Sequence, residues 1–197
     1  MKKGCVSVLP PEEQERMARQ LKRHEGFCFS AYLDSEGVLT IGYGHNCKAW
    51  PVNGVAKPGD IISEGQAEML FKNDLDLAEA QIGYALPWID LLKYPRRAVL
   101  INMVFNMGLG SVASGRGLMG FRRMLAAMQR EDYAAAAHEM LNSHWARQVG
   151  QRARELAEQM ESGQWPKYLG AAKGGQPVET LHWAKRQQGA GDEQPFA

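Results

Sequence analysis

The sequence predicts an α+β protein, predominantly α-helical, in two lobes: a small β-containing lobe near the N-terminus and a helical C-terminal lobe, joined by a long helix. Three observations carry this. Period-two alternation of apolar residues falls within residues 29–43, and helical periodicity dominates from residue 63 onward. The first helical stretch, about 63–83, carries a single apolar stripe for about 20 residues, a length that spans roughly 30 Å as a helix. An apolar share of 45% in 197 residues is enough for a packed core.

Charge and composition exclude some classes. A formal net charge of +1 argues against a chain built mainly to hold nucleic acid. The opening MKKGCVSVLPPEE has no apolar run of signal-peptide length, and no later stretch approaches the roughly 20 apolar residues of a membrane span. The expectation is a soluble chain, made and kept in the cytosol, with no stable membrane association. Cys5, Cys28 and Cys47 cannot all pair within one chain, which fits a reducing compartment. A Cys28–Cys47 bridge stays open, since its geometry is not written in the sequence.

Residues 1–11 read as an N-terminal arm ending in Pro10 and Pro11, where prolines open a helix. From Glu12, Met17, Ala18 and Leu21 recur at spacings of three and four, and Gly26 stops that helix just after Glu25. Phe29, Ala31 and Leu33 then alternate with Ser30, Tyr32 and Asp34 up to the turn Asp-Ser-Glu-Gly at 34–37. A second alternating run follows from Val38 to Tyr43. Gly37 can take the left-handed conformation of a hairpin turn with a bulge, so the runs pair as antiparallel strands. With Asp34 opposite Val38, Tyr32 lies opposite Thr40, and Asp34 and Thr40 share one face; a slip of one residue would separate them.

Residues 46–60 are rich in Pro, Gly and Asn and read as a loop. Ser63 with Gln66 forms a capping-box pattern opening the connecting helix, about 63–83, with Ala67, Leu70, Phe71, Leu75, Ala78 and Ile82 along its stripe. Pro95 begins a helix with Val99, Leu100, Met103, Val104 and Met107, stopped by Gly108, and a glycine-rich turn covers 108–120. Helical patterns resume over 121–129, 132–141 and about 151–161, with Gly163 as a C-cap. The folded domain is thus 12–168: a β-containing lobe at about 26–62, the connecting helix, and a helical lobe at about 84–168 that includes helix 12–25. Residues 169–197 read as a polar, glycine-rich tail, partly disordered or locally docked, with one amphipathic piece at 179–187.

The stretch EGFCFSAYLDSEGVLTIGYGH, residues 25–45, carries the candidate chemistry. Hydrolysing a glycosidic bond takes a proton donor for the leaving oxygen and a second carboxylate across the sugar. Glu25 ends a helix, where the macrodipole's negative end favours the protonated form. Asp34, on a polar turn, stays ionised, so the two could hold different protonation states at one pH. Singly, each residue also has an ordinary reading: a solvated charge at a helix end, an aspartate serving its turn, a threonine in a strand.

The spacing Glu25, Asp34, Thr40, running into Thr-Ile-Gly-Tyr-Gly-His, resembles the catalytic signature of the T-even phage lysozymes, a glycoside hydrolase family. Residues 96–108, RRAVLINMVFNMG, resemble that family's central helix, and Ser143, Trp145, Arg152 and Ala153 follow its C-terminal pattern. The similarity covers about residues 14–168. It implies Glu25 as general acid, Asp34 as the carboxylate acting on water, Thr40 as the residue positioning that water, and inversion at the anomeric carbon. It further implies that Arg152 pairs with Glu25, that His45 and Asp74 form a structural ion pair, and that Gly44 and Phe105 line the cleft. The implied substrate is bacterial peptidoglycan, cut between N-acetylmuramic acid and N-acetylglucosamine. No cofactor or metal is expected. The implied protein is a monomeric endolysin that reaches the wall from the host cytoplasm through a separate holin or other delivery machinery.

Two features depart from the family. His24 and Glu155 stand where it has an acid and an arginine; they read either as one ion pair with its polarity exchanged, weakening as pH rises past the histidine pKa, or as two unrelated surface residues. The turn at 108–120 is longer than the family's, and the tail beyond Lys167 has no counterpart in it. Three rivals remain at this level. A lytic transglycosylase needs one acid and neither Asp34 nor Thr40. An antibacterial effector would use the same site for another purpose, and a non-catalytic wall-binding protein has no need of all three residues.

Overall fold

The computed structural model describes residues 9–34 and 36–170. The arm before Leu9 and the tail from residue 171, including its amphipathic piece, lie outside the described residues. Helix α1 (Pro11–Glu25) opens on the expected proline and ends at Gly26, whose φ is 72°. Its buried Met17 and Leu21 join the large helical core, so α1 packs with the C-terminal lobe although it precedes the sheet.

Strands β1 (Cys28–Leu33) and β2 (Leu39–Gly42) pair antiparallel with Tyr32 opposite Thr40 and Leu33 opposite Leu39, the register expected from the turn. The turn itself closes through Gly37 N–H to the Asp34 carbonyl at 2.9 Å and Asp34 N–H to the Val38 carbonyl at 3.0 Å. Gly37 sits at φ 71°, a conformation that costs a side-chain-bearing residue strain. A third short strand, β3 (His45–Asn46), adds to β2 through Ile41 opposite His45. The sequence has no period there to announce it, because two residues cannot show an alternation. Cys28 and Cys47 are free thiols.

Helix α2 (Glu64–Ala85) starts with the capping box: Ser63 accepts from Gln66 N–H, and the Gln66 side chain accepts from Ser63 N–H at 2.9 Å. Its first turns, Ala67 and Leu70, bury in a small core with Ala31, Ile41, Cys47, Val55 and Ile62. Its later turns, Phe71 to Ile82, bury in the large core. The same helix thus belongs to both cores. A row of rings runs alongside, Phe29–Phe27–Tyr43–Phe71–Phe105, with neighbouring centroids 4.3 to 5.6 Å apart. Lys22 of α1 pairs with Glu68 of α2, which also accepts from the Tyr43 hydroxyl at 3.0 Å; burial and that carboxylate push Tyr43 up to about 12.

A 3-10 turn (Pro87–Leu91) leads into α3 (Tyr94–Met107), buried along every residue from Arg96 to Val104. A helix enclosed on all sides is the centre of its lobe. Around it lie α4 (Arg122–Gln129), α5 (Tyr133–Leu141), α6 (His144–Val149) and α7 (Gln151–Ser162). Helix α6 is six residues long, too short for a periodic pattern, and is read instead from its cap: Ser143 accepts from Ala146 N–H at 3.0 Å. Arg96 of α3 donates to the last carbonyls of α7, Met160 at 2.8 Å and Glu161 at 2.9 Å, tying the C-terminal helix to the central one. The 108–120 turn is closed by Ser111 N–H to the Arg116 carbonyl at 3.2 Å and ends in a 3-10 turn, Leu118–Gly120.

Candidate active site

Glu25, the last residue of α1, is held from the helical side. Its Oε1 lies 2.7 Å from Nη1 of Arg152, the second residue of α7. Arg152 is fixed by the buried Asn102 of α3, whose Oδ1 accepts from Nε at 3.0 Å and from Nη2 at 2.8 Å. Three helices therefore set one carboxylate. Its other oxygen, Oε2, faces Gly44, where an added Cβ would approach it to 3.4 Å. A larger residue there would crowd that oxygen, and at φ 85° it would also be strained.

Asp34 is held by backbone instead. Its Oδ1 accepts from Glu36 N–H at 2.9 Å and from Val38 N–H at 2.8 Å, an Asx-type arrangement local to the turn. Its Oδ2 has no hydrogen-bond partner among the described residues. Thr40, only 5% exposed, donates its hydroxyl proton to the Val38 carbonyl at 3.0 Å. With that proton committed, Oγ1 presents only lone pairs toward the space beside Asp34.

These groups meet in one cavity of about 590 Å³, lined by Glu25, Tyr32, Asp34, Thr40, Gly44 and Phe105. All the residues expected in the cleft reach it. A larger cavity of about 1130 Å³ shares Met107 with it and takes in Glu36, Arg116, Arg122 and Trp145, but no candidate catalytic residue. Asp74 of α2 sits at the rim of the smaller cavity, bound to His45 Nδ1 at 2.8 Å, while His45 Nε2 faces the Trp50 carbonyl at 2.9 Å. Both ring nitrogens face acceptors, an arrangement that the doubly protonated ring satisfies in full. Burial works against that charge, but Asp74 and the Trp50 carbonyl outweigh it and raise His45 above its ordinary value. His45 is thus a clamp between the sheet and α2.

A family model for phage lysozyme matches residues 22–162. The chain belongs to the phage lysozyme family. It is a lysozyme, a peptidoglycan hydrolase, with the α+β fold of that family. A probable T4-type lysozyme of Dictyostelium discoideum is 30% identical over 73% of this chain and 92% of its own length. An endolysin of Salmonella phage P22 is 32% identical over 62% of this chain and 76% of its own. A pre-baseplate central spike protein, Gp5, of Enterobacteria phage T4 is 30% identical over 83% of this chain but only 31% of that protein.

Two features of the lysozyme's site escape sequence reasoning from periodicity and spacing. Asn102 is one apolar-helix residue among many until Arg152 is seen against it, and Tyr32 enters the cavity because it shares Thr40's face of the hairpin. The alternation of β1 was a signal for Tyr32; nothing local signals Asn102. His24 and Glu155 do meet, with Nε2 3.2 Å from Oε2. This is the contact an exchanged ion pair would make, and it carries charge on both partners only when His24 is protonated. Burial and the Arg152 charge lower His24 below its ordinary value, against the opposing pull of Glu155 and Asn102. The charged form of the pair is thus confined to lower pH than an ordinary histidine would allow.

Proposed function

We propose that this lysozyme hydrolyses the β-1,4 bond between N-acetylmuramic acid and N-acetylglucosamine with inversion. Glu25 donates its proton through Oε2, the oxygen not engaged by Arg152, to the departing sugar oxygen. A water in the cavity gives one hydrogen to Asp34 Oδ2 and the other to Thr40 Oγ1, which points its lone pair at the anomeric carbon. As the carbon–oxygen bond breaks, the water's oxygen bonds to that carbon and Asp34 takes the proton. The observation that carries this reading is Thr40's commitment of its own proton to Val38, which leaves it able to orient a water only as an acceptor.

In this reading the protein is a monomer that acts as a phage or prophage endolysin, held in the host cytoplasm until a separate pore-forming holin gives it access to the wall. The similarity to part of a central spike protein favours a second reading, in which phage-particle machinery delivers the same activity from outside. Digestion of purified peptidoglycan in ¹⁸O-labelled water, followed by mass spectrometry, tests the chemistry common to both. Label at a reducing-end N-acetylmuramic acid is the expected product. Unlabelled anhydro-muramyl ends would mean transglycosylation with a spectator Asp34, and no product from folded protein would favour a binding protein.

A further inference from the structure

We propose that His24 is a positioning residue for Glu25, acting through Asn102 and Arg152 as a neutral imidazole that carries its proton on Nε2. The proposal rests on the reading of Glu25 as the proton donor. Asn102 is fully buried, and both acceptor directions of its Oδ1 are taken by the Arg152 guanidinium. Its amide cannot be turned over, because two guanidinium N–H groups would then face an NH₂. Nδ2 is thereby committed to the opposite side, where it lies 3.3 Å from His24 Nδ1.

For that contact to be a hydrogen bond, Nδ1 must be unprotonated, which puts the ring proton on Nε2, facing Glu155 Oε2. Adding a second proton sets N–H against N–H at Nδ1. Either the imidazole swings away or Asn102 turns and gives up Arg152, and the guanidinium loses the side chain that aims it at Glu25. The charged and titratable groups around His24 are few. Arg152 and Glu155 face it from α7, and its chain neighbour Glu25 lies on α1; Glu155 also accepts from Tyr168 at 3.1 Å, whose ring lies 4.4 Å from the Arg23 guanidinium. Their effects on His24 oppose each other, and burial decides in favour of the neutral ring.

His24 is absent from the lining of the catalytic cavity, so its influence belongs in kcat rather than KM. His24→Lys, which in its charged form offers no acceptor, should lower kcat about tenfold at neutral pH with KM unchanged, as expected of a displaced catalytic group. His24→Asn keeps an acceptor near the Nδ1 position and cannot titrate. Its kcat should lose one ionisation from the acid limb of the wild-type pH profile. Because either variant could fail to fold, the ¹⁵N spectrum of histidine-labelled wild-type protein provides an independent readout: an Nε2–H tautomer at pH 7 supports the proposal, and an Nδ1–H tautomer or a charged ring overturns it. Glu25→Gln, assayed alongside, separates the two ideas. Full activity there removes the donor assignment; an inactive Glu25→Gln with an unchanged His24→Asn profile removes only the positioning role.

Discussion

Glu25 is held by side chains from helices distant in sequence, at the edge of a core of twenty-nine buried apolar residues, whereas Asp34 is held by the backbone of its own turn, over a core of seven, among the described residues. The first arrangement uses long-range packing to fix a group that must be aimed. The second uses two N–H groups within four residues to fix one carboxylate oxygen and leave the other open. Disturbing the helical lobe should therefore mis-aim the donor while leaving the water site intact, and disturbing the hairpin should do the reverse.

The clamp between these regions gives the larger expected effect on stability. A histidine raised in the folded state contributes fully below its unfolded pKa near 6.5 and loses that contribution as pH rises through the folded value. Asp74→Asn should thus cost about 2 kcal/mol at pH 5 and clearly less at pH 9, measured by urea unfolding. Equal losses at both would mean that His45 is not charged. A smaller effect is expected at Gly37, whose φ of 71° has open space around it, so a methyl group meets strain and no clash. Gly37→Ala should cost about 1 kcal/mol in the same assay, with Glu25's surroundings unchanged. A neutral result would mean that the turn relaxes to another type and no longer defines Asp34.

The same contrast explains what could be read from the chain. The hairpin, its register and the Asp34–Thr40 pairing follow from a contiguous alternation and one glycine, because their hydrogen bonds are local. The capping box at Ser63 was legible for the same reason. Residues 24, 25, 102, 152 and 155 form one network only after the helices pack. Family resemblance implies the partnership of Arg152 with Glu25, whereas nothing in the sequence signals Asn102's place between Arg152 and His24. The two-residue strand β3 and the six-residue helix α6 escaped because each is too short for its own period to repeat. The lowering of His24 escaped because it depends on burial and on a neighbouring arginine, neither of which is written beside it.

The central claim is that a single carboxyl group, fixed from the helical side, supplies the proton. The most direct measurement is turnover of purified peptidoglycan by Glu25→Gln, with its thermal melt recorded beside the wild type. The account predicts a loss of about 10³-fold in kcat with a folded protein, since the amide keeps the shape and loses the proton. Turnover within tenfold of wild type would contradict it and move the search for the donor elsewhere in the cleft.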